Sequence, residues 1–155
     1  MKDVKEEIIA TNKKARHNFT ILDSFEVGIA LKGTEVKSMR EHRANLDESF
    51  ARIDRNELFL YNMHISPYEY GSYANVDSKR KRKLLAHKKE IAKLIGQTSQ
   101  KGFTLVPLKA YFKHGIAKIE LAIARGKRQY DKREAIKLRE VRRDVARQFR
   151  GKTSL

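Results

Sequence analysis

The strongest constraint on this chain is a pair of alternating runs joined by a short turn. Ala117, Ile119, Leu121 and Ile123 face away from Lys118 and Glu120 if the segment is extended, and Phe103 to Phe112 precedes it across Lys113-His114-Gly115. A period of two is the signature of a strand with one buried face, and a short Gly-containing break between two such runs is a β-hairpin. The same alternation recurs upstream. Phe19, Ile21, Phe25, Val27, Ile29 and Leu31 occupy odd positions interrupted by Asp23-Ser24, which predicts a bent strand or two short ones with a bulge between them. Phe50 to Ile53 and Leu58 to Tyr61 flank the polar Asp54-Arg55-Asn56-Glu57, and this reads as a second hairpin.

Helices take the remainder. Gly33-Thr34 ends the first strand region, and Thr34 caps a short helix with Val36 and Met39 on one face. Between Lys79 and Ile95 the residues Leu84, Leu85, Ile91, Leu94 and Ile95 fall near helical spacing, with Asp77 or Ser78 as cap and Gly96 as stop, so one long helix is expected there. Five or six strands with few helices must hide their edges, and closure into a small barrel does so. The expected fold is mainly β with flanking helices: an OB-like β-barrel over residues 1–125, followed by a basic C-terminal tail over residues 126–155.

The charge distribution sets the tail apart. Residues 1–75 hold eleven Lys and Arg against twelve Asp and Glu, whereas residues 76–155 hold twenty-four against seven, so the net +16 lies in the second half. From Asp131 to Arg150 the apolar residues thin to Ile136, Leu138, Val141, Val145 and Phe149. Burying four or five such side chains yields roughly 6 to 15 kcal/mol, while fixing some twenty residues costs roughly 20 to 40. The tail is therefore expected to be loose alone and helical when docked. So concentrated a positive charge calls for a polyanionic partner, and RNA fits best.

Other classes are poorly supported. There is no cysteine, hence no disulfide framework and no thiolate metal site. His17, His42, His64, His87 and His114 lack metal-ligand spacing, and no P-loop or G-x-S-x-G occurs. No enzyme activity and no cofactor are expected; the enzyme rival is a barrel nuclease, and the binding rival is a ribosomal protein or other structural rRNA-binding module. The opening Met-Lys-Asp-Val-Lys-Glu-Glu has no apolar core of a secretion signal, and no stretch approaches the ~20 apolar residues of a membrane span. A soluble, cytoplasmic protein with no membrane partner is the expectation.

Three segments are candidates for RNA contact. Asn12-Lys13-Lys14-Ala15-Arg16-His17 places a cationic cluster in the otherwise neutral half. The block Lys79-Arg80-Lys81-Arg82-Lys83, read as a helix start, opposes the helix dipole, which favours phosphate contact by Arg80, Arg82 and Lys83 over a purely structural role. The loop Ser66 to Tyr73 interleaves tyrosines with small residues, as a stacking platform or as a cap over the barrel mouth. Glu26 and Glu35 could accept from base edges or pair with Lys32 and Lys37, and the sequence favours pairing.

Four motifs together resemble the SsrA-binding (small protein B) family of bacterial trans-translation: Asn12-Lys13-Lys14-Ala15-Arg16-His17, Gly33-Thr34-Glu35-Val36-Lys37-Ser38, Arg80-Lys81-Arg82-Lys83-Leu84-Leu85 and Gly126-Lys127-Arg128-Gln129-Tyr130-Asp131-Lys132-Arg133. The resemblance implies an OB-like barrel that binds the tRNA-like domain of tmRNA, an RNA that mimics alanyl-tRNA and carries a short message. It also implies delivery of the alanyl-tmRNA complex by elongation factor Tu, and a tail that occupies the decoding centre and empty mRNA channel of a stalled ribosome, against rRNA. Carried over, Asn12, Lys13, Lys14, Arg16, His17 and Glu26 belong to the RNA-facing barrel. Tyr130, Asp131, Lys132 and Arg133 begin the functional tail, which continues through Lys137, Arg139, Arg143 and Arg147. Lys127 and Arg128 serve either surface. Ser78 stands where proline is common in that family, and Val141 where some members carry an aromatic.

Overall fold

The computed structural model describes residues 5–71, 74–99, 102–127 and 139–147. Its elements are β1 (Glu6–Thr11), α1 (Ala15–Asn18), β2 (Phe19–Ile29), α2 (Gly33–Arg40), β3 (Ala44–Asn45), β4 (Phe50–Asp54), β5 (Glu57–Tyr61), β6 (His64–Ile65), β7 (Arg82–Leu85), α3 (Lys88–Thr98), β8 (Phe103–Lys113) and β9 (Ile116–Gly126). The main sheet runs β1-β8-β4-β5-β7-β2-β9, and β9 pairs back to β8. The strands from β8 through β9 therefore ring a core, and β1 is appended to β8. All pairings are antiparallel. β3 and β6 form a separate small pair. The expectation of a mainly β, barrel-like body with flanking helices holds.

Both hairpins turn on two residues with positive φ, Arg55 (49°) with Asn56 (62°) and His114 (52°) with Gly115 (73°). That is the turn whose twist matches right-handed strands. The ring is thinnest where β4 meets β8 at Ala51 opposite Leu105 and where β7 meets β2 at two rungs. At the second seam Gly28 faces Leu85, and a Cβ on Gly28 would come within 3.2 Å of the Leu85 Cβ. A side chain at position 28 would push Leu85 aside by a few tenths of an ångström at this two-rung seam.

Two bulges divide the apolar residues between an inner core and an outer layer. In β2 the register shifts between Ile21 and Asp23, and in β8 between Pro107 and Lys109. One extra residue reverses which face every later side chain takes. Phe25, Val27 and Ile29 accordingly point into the barrel with Leu58, Leu60, Leu84, Ile119 and Leu121, whereas Phe19 and Ile21 lie against an outer cluster of Ala15, Val106, Leu108, Ala122 and Ala124. The break at Asp23-Ser24 expected from sequence is thus a bulge, with Leu22 left exposed.

The long helix expected from Lys79 is a correction. Residues 82–85 form β7 between β5 and β2, and α3 begins only at Lys88, runs through Gly96, and is preceded by His87 as N-cap. Asp77 instead opens a turn: its Oδ1 accepts from the Lys79 N–H at 3.0 Å, and its backbone carbonyl accepts from the Arg80 N–H at 3.2 Å. The period-two pattern of β7 was hidden because one inward residue is charged. Arg82 and Leu84 point in; Lys83 and Leu85 point out. Likewise α2 has Lys32 as its N-cap, while Thr34 donates from Oγ1 to the Ala74 carbonyl at 3.2 Å.

Arg82 is fully buried, and Glu35 makes that possible. Arg82 Nε donates to Glu35 Oε2 at 2.5 Å, Nη1 to the Met63 carbonyl at 2.5 Å, and Nη2 to the Ser78 carbonyl at 3.0 Å. Glu35 Oε1 accepts from the Arg80 guanidinium and from the Lys32 N–H at 2.9 Å, which caps α2. Glu35 therefore pairs with arginines and not with Lys32 or Lys37 side chains. Burial alone would raise its pKa, but the Arg80 bond, the Lys32 N–H and Arg82 outweigh it and hold the carboxyl below its ordinary 4.5. A carboxyl whose pKa is lowered by folding contributes its full stability above pH 4.5 and loses it as pH falls through the depressed value. Glu35→Gln leaves a buried guanidinium without its counter-charge and is expected to cost roughly 3–5 kcal/mol at neutral pH. It should also flatten the acid limb of stability; urea melts from pH 3 to 7 check both, and an unchanged acid limb refutes the assignment.

Candidate nucleic-acid interface

The Asn12–Asn18 segment is held by two side chains that point inward. Asn12 is buried; its Nδ2 donates to the Pro107 carbonyl at 3.0 Å, and its N–H donates to the Leu108 carbonyl at 2.7 Å. These bonds fill a stretch of β8 where neither β1 nor β4 pairs, which is also where a proline, lacking an N–H, is tolerated in a strand. Ala15, 2% exposed, packs into the outer apolar cluster. With Asn12 and Ala15 turned in, Lys13, Lys14, Arg16 and His17 are turned out and exposed. None of the four pairs with a carboxylate among the described residues. Lys127 joins them, because its N–H donates to the Asn18 carbonyl at 3.0 Å, bringing the exit of β9 beside the α1 turn.

The outer face of β2, β9 and β8 continues from this turn as a polar surface. Lys109 Nζ lies 3.2 Å from Glu6 Oε2 and 3.7 Å from Glu120 Oε2. Glu26 Oε2 accepts from the Tyr111 hydroxyl at 2.5 Å and lies 3.4 Å from Lys113 Nζ. The Tyr111 bond is the main reason the Glu26 carboxyl sits below its ordinary 4.5; burial opposes it, and Lys113 and Lys118 assist. Tyr111 is shifted upward in turn, by burial and by donating to Glu26. Pairing was the right expectation for Glu26, with different partners. Asn12, Lys13, Lys14, Arg16, His17, Glu26 and Lys127 are thus gathered around one side of the barrel, although Asn12 serves as a clamp beneath the surface.

The second basic block is dispersed. Arg82 is a buried framework residue and cannot touch a phosphate without unfolding β7, which corrects the surface role expected for it. Arg80 is largely occupied by Glu35, its side chain 25% exposed. Lys83 is exposed and 3.5 Å from Glu57, while Lys81 lies over the Phe59 ring. Five consecutive cations read as a phosphate-contacting run because sequence does not say which of them finds a carboxylate 45 or more residues away. In the tyrosine loop, Asn75 bridges the Tyr68 N–H and carbonyl at 3.0 and 2.9 Å, Tyr68 and Tyr70 meet edge to face, and Tyr70 stays exposed.

Of the tail, Arg139, Arg143 and Arg147 lie one turn apart on an exposed helix over residues 139–147, with Val141 and Val145 also exposed. Arg128, Tyr130, Asp131, Lys132, Arg133 and Lys137 lie outside the described residues. The signal most easily missed was Tyr111, an apparent core aromatic whose hydroxyl organises Glu26. Its position in the alternating run, flanked by Lys109 and Lys113 on the same face, is what marks it.

Against known proteins, the chain matches the family model described as SmpB protein over residues 9–151. It is similar to the SsrA-binding protein of Geobacillus thermodenitrificans, 53% identical over 149 residues that cover 96% of each chain. It is likewise similar to that of Listeria welshimeri, 54% identical over 144 residues covering 93% of this chain and 94% of the other. A solved structure described as "tmRNA-SmpB: a journey to the center of the bacterial ribosome" contains a chain 53% identical, with TM-score 0.66, covering 87% of this chain and 95% of that one.

Tyr111→Phe removes the hydroxyl and leaves the ring, so the Glu26 carboxyl should titrate upward toward 4.5 with the fold intact. Carboxyl-carbon NMR across pH 2 to 6 reads this directly. A Glu26 titration that does not move would show that Lys113, not Tyr111, governs the site.

Proposed function

The chain belongs to the SmpB family of SsrA-binding proteins, and from that membership we propose that it binds the tRNA-like domain of tmRNA and escorts it to stalled ribosomes for trans-translation. It works as an RNA-binding factor, not as an enzyme. What best supports the reading is the α1 turn: four exposed basic side chains without carboxylate partners among the described residues, fastened by Asn12 and Ala15 to a rigid sheet. Unpaired, prepositioned cations can release counterions from a folded RNA without first breaking ion pairs of their own. Lys13, Lys14, Arg16, His17 and Lys127 contact the phosphate backbone in this reading, and Glu26 with Tyr111 shapes the neighbouring surface.

The division of labour follows the charge. Residues 1–125 form the RNA-binding barrel, and residues 126–155 form the tail that occupies the decoding centre and mRNA channel, with Tyr130, Asp131, Lys132 and Arg133 at its start. Arg139, Arg143 and Arg147 offer one cationic stripe to rRNA. Elongation factor Tu meets the protein through the alanyl-tmRNA complex. The work is cytoplasmic, where ribosomes are; no described helix is long and apolar enough to cross a membrane.

Replacing Lys13, Lys14 and Arg16 by alanine should weaken binding of the tRNA-like RNA and reduce the slope of log affinity against log salt by roughly 2 to 3, at 0.7–0.9 per phosphate contact. An unchanged slope places the contact elsewhere. A chain cut after Gly126 should keep most of its affinity for the RNA and lose peptide tagging on stalled ribosomes; tagging that survives the cut overturns the role of the tail.

A further inference from the structure

On the opposite side of the ring, the outer face of β4, β5 and β7 carries a set of aromatic and cationic side chains that the α1 turn does not involve. Phe50 faces Tyr61 across the β4–β5 hairpin, and Arg52 faces Phe59; Phe59 in turn faces Lys83 of β7. Their inward neighbours Ala51, Leu58, Leu60 and Leu84 are buried in the barrel core. Phe50, Phe59 and Tyr61 therefore point outward, remain partly exposed, and belong to neither hydrophobic cluster. Phe50 and Tyr61 stack at 5.3 Å with planes 13° apart. Cations lie over the rings: Lys81 Nζ is 4.1 Å from the Phe59 centroid and 5.9 Å from that of Tyr61, and Arg52 is 5.0 Å from that of Phe50.

We propose that this face is a second RNA-binding surface, one that takes a single-stranded segment by stacking bases on Phe59, Tyr61 and Phe50 while Arg52 and Lys81 hold the flanking phosphates. Cross-strand stacking would by itself explain Phe50 and Tyr61 as hairpin stabilisers. It leaves Phe59 unaccounted for: the residue belongs to neither apolar cluster, and among the described residues Lys81 lies over its ring. A lysine over a ring is a replaceable partner: when a base slides onto the ring, the ammonium is already within reach of that nucleotide's phosphate. The acidic residues of the face, Asp54 and Glu57, sit at the turn end of the hairpin, so the aromatic end is the cationic one. That polarity suits a polyanion with exposed bases and disfavours an acidic or apolar protein surface of equal size. A flat sheet face of this kind is open to an extended strand, whereas the projecting α1 turn suits the backbone of a folded RNA.

The inference is independent of how the α1 turn is used, and the experiment keeps the two apart. Binding of the full chain to a fluorescent single-stranded 12-mer of mixed sequence is measured by anisotropy beside binding to a folded tRNA-like RNA. Phe59→Leu and Tyr61→Leu should each weaken 12-mer binding by roughly five- to a hundredfold, the range for loss of one stacking ring. Both should leave the folded RNA within about twofold. Lys13→Ala with Lys14→Ala should do the reverse. Should a ring substitution unfold the hairpin, Arg52→Gln with Lys81→Gln keeps every ring and should still weaken the 12-mer and flatten its salt dependence. Equal 12-mer affinity in the ring and charge variants overturns the proposal, and so does equal loss on both RNAs. A photo-crosslinker at position 61 should join RNA in ribosome complexes carrying the protein; an adduct to protein alone would assign the face to a protein partner instead.

Discussion

A guanidinium in the middle of a barrel wall is the commitment on which the rest of this structure depends. Arg82 occupies an inward position of β7 directly opposite the core-facing Leu60 and two residues before the buried Leu84, and an ion of that size in an apolar interior is costly unless paired and fully hydrogen-bonded. Glu35 supplies the counter-charge, and the carbonyls of Met63 and Ser78 take the remaining donors. Because Glu35 is also the residue that reaches back to cap α2, and because Ser38 of the same helix donates to the Ser66 carbonyl at 2.7 Å, one carboxylate ties a helix, a strand and a long loop together. Among the described residues no buried side-chain nitrogen or oxygen is left without a hydrogen-bond partner. The pair fixes which way β7 faces. With β7 turned over, Lys83 and Leu85 would enter the core and Arg82 would reach solvent.

The bulges do for the other half of the barrel what the ion pair does for this one. A strand of eleven residues crossing a small ring would ordinarily commit all its alternate side chains to one interior. By shifting parity once in β2 and once in β8, the sheet can fill the barrel core and still turn Phe19, Ile21, Val106 and Leu108 to a shallow outer layer. That layer is the seat of α1. Ala15 is small enough to sit on Ala122 and Ala124, and the adjacent Asn12 closes the gap left by Pro107. The rigid placement of Lys13, Lys14, Arg16 and His17 is thus a consequence of strand registry several residues away.

Much of this was legible in the chain. Both long hairpins, the break at Asp23-Ser24 and the basic segment before the first long strand follow from alternation and turn chemistry, which act locally. The failures share one cause. The run 79–85 reads as a helix start because nothing local marks Arg82 as buried; its inward orientation depends on a carboxylate 47 residues earlier. Short β3, β6 and β7 carry too few residues for a periodic signal, and the last becomes a strand only because β5 and β2 flank it. Within the candidate site, residue type identified the exposed cations, but nothing local separates Asn12 the clamp from Asn12 the contact. Nor could alternation alone say that Tyr111 would spend its hydroxyl on Glu26.

The distribution of paired and unpaired cations then has a physical logic. On the barrel, Arg80, Arg82, Lys83, Lys109 and Lys113 each have a carboxylate within 4 Å, which limits self-repulsion in the part that must fold by packing alone. The α1 turn carries its basic side chains without such a carboxylate among the described residues, on a backbone fastened by Asn12 and Ala15, so ordering costs little when RNA arrives. In the proposed reading the segment beyond Gly126, rich in cations and poor in apolar residues, takes the opposite solution, its ordering repaid by whatever surface it meets. A protein built this way binds one RNA with a prepared surface and can reserve the other contact for a site that supplies its own scaffold. On the proposed division of labour an order of events follows: the barrel engages first, on a surface that exists in solution, and the tail adds affinity only where a polyanionic channel is already at hand.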